Sequence, residues 1–158
     1  MTRYPVTPEG LAALAGELAH LKEVVRGQIV RDIEEARAHG DISENSEYED
    51  AKERQAHCEG RILELEGRHA AAEVIDVTKL PVTDRVVFGA TVTIENTKSG
   101  ETRTWRIVGE DEADVEKAKI SFRSPLGQAL IGRRPGDEAV VSAPSGAQNW
   151  EIVEVAYR

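Results

Sequence analysis

The chain has a single cysteine, Cys58, among 158 residues, so no internal disulfide can brace it, and no Cys/His cluster has zinc spacing. A fold that needs neither disulfide nor structural metal is expected. Aromatic residues are scarce at 4%, which suits packing through Leu, Ile, Val and Ala rather than a large aromatic core. No apolar run approaches the ~20 residues that a membrane helix requires. The start, Met1-Thr2-Arg3-Tyr4-Pro5, has no signal-peptide apolar core, so a cytoplasmic address is expected. Positive charge is short as well. The net charge of −9 argues against binding free DNA or RNA by counterion release. Residues 1–80 hold 10 Lys and Arg against 17 Asp and Glu, net −7, and residues 81–158 hold 10 against 12, net −2. Any nucleic-acid contact must come from a local patch. Internal repeats and low-complexity tracts are absent.

What is present is a soluble globular composition, 40% hydrophobic and 31% charged, within the usual range. Thr7-Pro8 reads as a helix start, the Thr hydroxyl accepting a backbone N–H and Pro standing where its missing donor costs nothing. From there Leu11, Leu14, Leu18, Leu21, Val25, Ile29, Ile33 and Ala36 are spaced 3, 4, 3, 4, 4, 4, 3. That is one helical stripe with one extra step of four, which should locally unwind any supercoil. His39-Gly40 reads as the helix C-terminus.

A second stripe, Tyr48, Ala51, Gln55, Cys58, Ile62, Leu65, His69 and Ala72, repeats 3, 4, 3, 4, 3, 4, 3 without a break, a heptad seam weakened by two polar positions. Cys58 and His69 read as packing. Folded antiparallel, the stripes match layer by layer: 36 with 48, 33 with 51, 29 with 55, 25 with 58, 21 with 62, 18 with 65, 14 with 69 and 11 with 72. An antiparallel coiled-coil hairpin follows, about 30 residues a side and roughly 45 Å long.

Past Pro81 the pattern turns β-like. Arg85 to Glu95 is rich in Val, Thr, Ile and Phe, and Asn96 to Gly100 is a turn leading into Glu101 to Val108. Ser124-Pro125 opens a short helix that Gly132 closes, and Glu138 to Ser142 with Trp150 to Tyr157 flank a turn at Pro144-Ser145-Gly146. The expected fold class is α+β, with a hairpin over 1–78, an acidic tip at 40–48 and a globular domain over 79–158.

The tip carries acids at 41, 44, 47, 49 and 50, with no Lys or Arg between Gly40 and Ala51. Carboxylates at the far end of a hairpin are poorly placed to build a core and well placed to be inserted into something else. Asp41-Ile42-Ser43-Glu44 also has capping-box spacing, and acids at a helix N-terminus are stabilising in themselves. Glu47, Glu49 and Asp50 read as a solvated helix face.

Six ordered stretches carry a resemblance: Ala36 to Tyr48, Glu73 to Asp76, Phe88 to Val92, Ile107 to Asp114, Ser124 to Gly127 with Leu130 to Gly132, and Gly136 to Glu138. Over its full length the chain resembles the bacterial Gre transcript cleavage factors, of the GreA type. Ile42 and Ser46 stand where Leu and Ala are usual in that family. The resemblance implies an FKBP-like C-terminal domain that docks at the rim of the secondary channel of bacterial RNA polymerase. It also implies a hairpin that reaches the active centre and stimulates hydrolysis of backtracked RNA. Asp41 and Glu44 match the family's two functional acids, and basic residues near the tip are expected to meet the RNA 3′ end.

In-line phosphodiester hydrolysis needs a generated hydroxide and charge relief, which two divalent ions provide. Mg²⁺ is held by one or two carboxylates plus water and phosphate, so a partner of the polymerase need only supply the missing acids. Asp41 and Glu44 are thus candidate catalytic residues and ligands of a Mg²⁺ shared with the polymerase, with no cofactor expected on the isolated chain. Which acid binds the ion and which orients water is open. Arg37 and Lys52 are candidate RNA contacts, Arg54 a weaker one; the rival reading is ion pairing with Asp32, Glu49, Asp50 or Glu53. Tyr48 and Asn45 are read as support for the tip. By this reading the protein is not itself an enzyme. Two alternatives stand: a non-catalytic Gre-like channel-binding regulator, and a prolyl isomerase suggested by an FKBP-like fold, though fold does not carry activity. The acidic run Glu110 to Asp114 and residues Ser121 to Ser124 are candidate docking surfaces or solvated loops.

Overall fold

The computed structural model of the chain describes residues 3–39 and 46–158. The fold is α+β and divides into two units, one of residues 11–72 and the other of Tyr4–Gly10 with Glu73–Arg158. This differs from the division at 78/79 expected above. Strand β1 (Tyr4–Val6) pairs with β2 (Ala72–Val74), Ile75 N–H donates to Val6 O at 2.9 Å, and Val77 is buried against Gly89. Val6 and Val77 are buried there, while Val74 stays 46% exposed.

Helix α1 (Pro8–His20) runs into a π-helical turn at Leu21–Val25 and continues as α2 (Arg26–Ala38). Arg26 N–H bonds to Leu21 O, five residues back. A π turn takes up one more residue than an α turn, and the extra step of four falls in this part of the stripe. The local unwinding read from the spacing is therefore a single opened turn. Returning antiparallel is α3 (Ser46–Ala71), 26 residues or about 39 Å long.

Leu14, Ile29, Ile33 and Ala36 are buried on one side of the seam and Ala51, Cys58, Ile62 and Leu65 on the other. Each large aliphatic side chain so covered is worth about 1.5–3 kcal/mol. Around the π turn the seam is thinner: Leu18, Leu21 and Val25 are only half-buried, and Val24 is 53% exposed. Cross-helix ion pairs Arg26–Glu59 at 2.8 Å, Arg54–Asp32 at 3.0 Å and Arg61–Glu17 at 3.0 Å flank the seam. Being half-exposed, such pairs contribute little each. His69, expected in the seam, is exposed instead; it lies in the last turn of α3, where a ring that can carry positive charge is favoured beside free carbonyls and water.

The globular unit is built on a five-stranded sheet of order β5-β4-β3-β7-β6: β3 (Thr91–Asn96), β4 (Thr102–Val108), β5 (Lys119–Ser121), β6 (Glu138–Ala143) and β7 (Gly146–Ala156). All neighbours are antiparallel except β4 and β5. The β3–β4 hairpin has the expected turn, with Asn96 Oδ1 accepting from the N–H groups of Lys98 and Ser99. The strand expected from Arg85 begins only at Thr91, because Gly89 at φ 88° and a turn closed by Ala90 N–H to Val87 O break the extended run. Helix α4 (Pro125–Leu130) starts where Ser124 Oγ accepts from Gly127 N–H at 3.0 Å. Val92, Ile94, Ile107, Leu130, Trp150 and Ile152 form the core. Among the described residues no helix is long and apolar enough to cross a membrane.

Candidate functional site at the hairpin tip

Asp41, Glu44 and Asn45 lie outside the described residues, so their predicted roles rest on sequence. What the structure gives is their surroundings. Helix α2 ends at Ala38 and α3 begins at Ser46, so the segment carrying both acids joins the two helices. Near these two helix ends, Ala36 and Ala51 are 2% and 0% exposed. Alanines there let the two backbones approach closely. Tyr48 is half-buried against the seam cluster of Ile29, Ile33, Ala51, Cys58 and Ile62, the packing position read from its place in the stripe.

The three cations named from the sequence differ in their partners. Arg54 is held by Asp32 at 3.0 Å and by Asp50 at 3.2 Å. The hydrogen bond to Asp32 raises its pKa further, while Asp32 is held below the usual carboxylate range chiefly by its bond from Gln28 and then by Arg54. Arg54 is thus a stalk residue. Arg37, by contrast, is exposed and stands over the Tyr48 ring, 5.8 Å from its centroid. Lys52 Nζ donates to the neutral Gln55 Oε1 at 3.0 Å. Among the described residues neither Arg37 nor Lys52 is in an ion pair, and of the acids proposed to neutralise them Asp32 and Asp50 pair with Arg54 instead.

The sequence reading missed one contact here. His39 Nδ1 lies 3.2 Å from Glu47 Oε2, linking the end of α2 to the first turn of α3. Each member is at the helix end whose partial charge suits it. The signal was present as two favourable end residues; their meeting across the connection was not.

The acidic run 110–114 is largely occupied within the globular unit. Glu112 turns inward: Thr7 Oγ1 donates to its Oε1, and Thr7 N–H at 3.1 Å and Gly109 N–H at 2.9 Å donate to its Oε2. Thr7 is fully buried and its hydroxyl also accepts from Gly10 N–H at 3.0 Å, starting α1 as expected. Any Cβ at Gly10 would collide with the Glu112 carboxyl. Tyr4 OH donates to Asp111, Asp114 caps a short 3₁₀ turn at Val115–Lys117, and Glu110 lies 3.5 Å from Arg123. Asp111 and Glu112 thus tie the N-terminal segment to the rest of the globular unit, while Glu110, Asp111 and Ala113 stay exposed.

No three His, Cys, Asp or Glu side chains gather in metal-holding geometry among the described residues. The donor set at 41 and 44, two hard carboxylates, has the chemistry of a Mg²⁺ ligand pair.

Residues 4–74 match the family model "Transcription elongation factor, N-terminal", and residues 81–157 match "Transcription elongation factor, GreA/GreB, C-term". The chain belongs to the GreA/GreB family of transcription elongation factors. It is 56% identical to Transcription elongation factor GreA of Anaeromyxobacter sp. (strain K) over 157 residues, 99% of this chain and 94% of that one. Identity is 54% to Transcription elongation factor GreA of Hyphomonas neptunium over 158 residues, the whole of both chains. Among solved structures, GreA factor homolog 1 (Gfh1) of Thermus thermophilus is 29% identical, covers 97% of this chain and 98% of its own, and superposes with a TM-score of 0.43.

Proposed function

We propose that this elongation factor stimulates the polymerase's own Mg²⁺-dependent cleavage of backtracked RNA, rescuing arrested complexes, and is not an enzyme by itself. The observation that carries the reading is the match of both family halves, in order, over nearly the whole chain. Relatives 56% and 54% identical bear the name GreA, which favours this reading over the non-catalytic regulator.

The hairpin reaches into the secondary channel, and the part of its seam next to the tip, where Ile29, Ile33 and Ala36 are buried with Ala51 and Cys58, holds the tip on a packed stem. Asp41 and Glu44 would hold the second Mg²⁺, which supplies charge relief and a low-pKa water at the scissile phosphodiester. Arg37 and Lys52, without carboxylate partners among the described residues, contact the phosphates of the extruded RNA 3′ end. The direct test adds the purified protein to a stalled, backtracked elongation complex with Mg²⁺. Short 3′ RNA fragments appearing faster than with polymerase alone are the expected result; an unchanged rate refutes the reading.

A further inference from the structure

A flexible arginine at a hairpin end is a weak phosphate ligand, since ordering its rotamers costs free energy each time it binds. Arg37 is not left loose. Its guanidinium carbon stands 5.8 Å from the Tyr48 ring centroid, inside the range of cation–π attraction. The ring is in turn half-buried against the seam cluster that includes Ile33 and Ala51. A cation–π contact consumes none of the guanidinium N–H donors, which leaves them for an oxyanion. Lys52, the other tip cation, leans on the Gln55 amide and has no such platform among the described residues.

We infer that Tyr48 is a positioning residue for RNA: its ring holds the Arg37 guanidinium in an orientation that presents the donor edge to a phosphate of the backtracked transcript. This rests on the cleavage-factor reading and assigns within it a second role to Tyr48, separate from seam packing. Leucine at 48 keeps an apolar seam residue and removes the cation–π contact, phenylalanine keeps both, and lysine at 37 keeps charge while losing the planar fork.

The experiment measures crosslinking of the factor to a photoreactive RNA 3′ end in backtracked complexes, together with polymerase affinity and hairpin helicity, for wild type, Tyr48→Phe, Tyr48→Leu, Arg37→Lys, Arg37→Ala and Arg37→Ala/Tyr48→Leu. Expected is a roughly two- to fivefold loss of crosslinking in Tyr48→Leu and Arg37→Lys, the scale of one exposed cation–π contact. Tyr48→Phe should stay near wild type, and Tyr48→Leu should add nothing in the Arg37→Ala background, with helicity and polymerase affinity unchanged. Equal losses in Tyr48→Phe and Tyr48→Leu, or a further loss on top of Arg37→Ala, overturn the inference while the cleavage reading stands. A wild-type factor that neither crosslinks to the 3′ end nor stimulates cleavage overturns both.

Discussion

At the scale of single residues, charge and hydrogen bonding can be separated at the tip. Asn caps a helix as well as Asp does but cannot supply a metal's negative ligand, so Asp41→Asn is expected to leave hairpin melting unchanged and to lower cleavage stimulation roughly tenfold or more. Full stimulation by that variant in the RNA cleavage assay would reduce Asp41 to a cap. Glu112 shows the opposite case, an acid with a structural task. Glu112→Ala removes the acceptor of Thr7 N–H, Thr7 Oγ1 and Gly109 N–H, and leaving such donors unmet costs about 1–3 kcal/mol. Denaturation followed by Trp fluorescence reads this cleanly, because Trp105 and Trp150 both belong to the globular unit. Glu112 was opaque in the sequence: its partner Thr7 is 105 positions away, and nothing local distinguishes it from its exposed neighbour Glu110. Ala51 and Cys58, by contrast, were legible from spacing alone, since a helical period fixes which face they share.

Among the elements, the hairpin illustrates how far periodicity reaches. The stripes named the seam and even the place where it would loosen, yet only the coordinates show that the loosening is a π turn between α1 and α2. Deleting Gly27 would change the first stripe to 3, 4, 3, 4, 3, 4, 3, the period of the second. If the surplus residue is what opens Leu21–Val25, the deletion variant should close into uninterrupted α-helix and melt at an equal or higher temperature by circular dichroism; a lower melting point would refute that account. Short strands were beyond the sequence. β1, β2 and β5 have three residues each, too few to alternate recognisably, and they exist because partners elsewhere in the chain complete their hydrogen bonds.

For the molecule as a whole, acid is the expected solvent weakness. Asp32 is held low by its bond from Gln28 and then by Arg54, Asp76 by its Thr78 hydrogen bond, and Glu9 by its own backbone N–H and then by Arg106. Carboxyls depressed on folding contribute stability that is complete above their unfolded values, around 4, and that disappears as pH falls through the folded ones. Stability should therefore be flat from pH 7 to about 5 and decline below about 4. Asp32→Asn should make that decline shallower for the helical signal; an identical slope would show that the Asp32 pair carries no pH dependence.

Cys58, the chain's one thiol, is 6% exposed between the two helices of the stalk. It is consequently a built-in clock for splaying of that stalk, since a maleimide can reach the sulfur only when the helices part. The labelling half-life of the unaltered protein should track stalk opening, lengthen in the Gly27 deletion, and lengthen again once the stalk is sheathed by a polymerase.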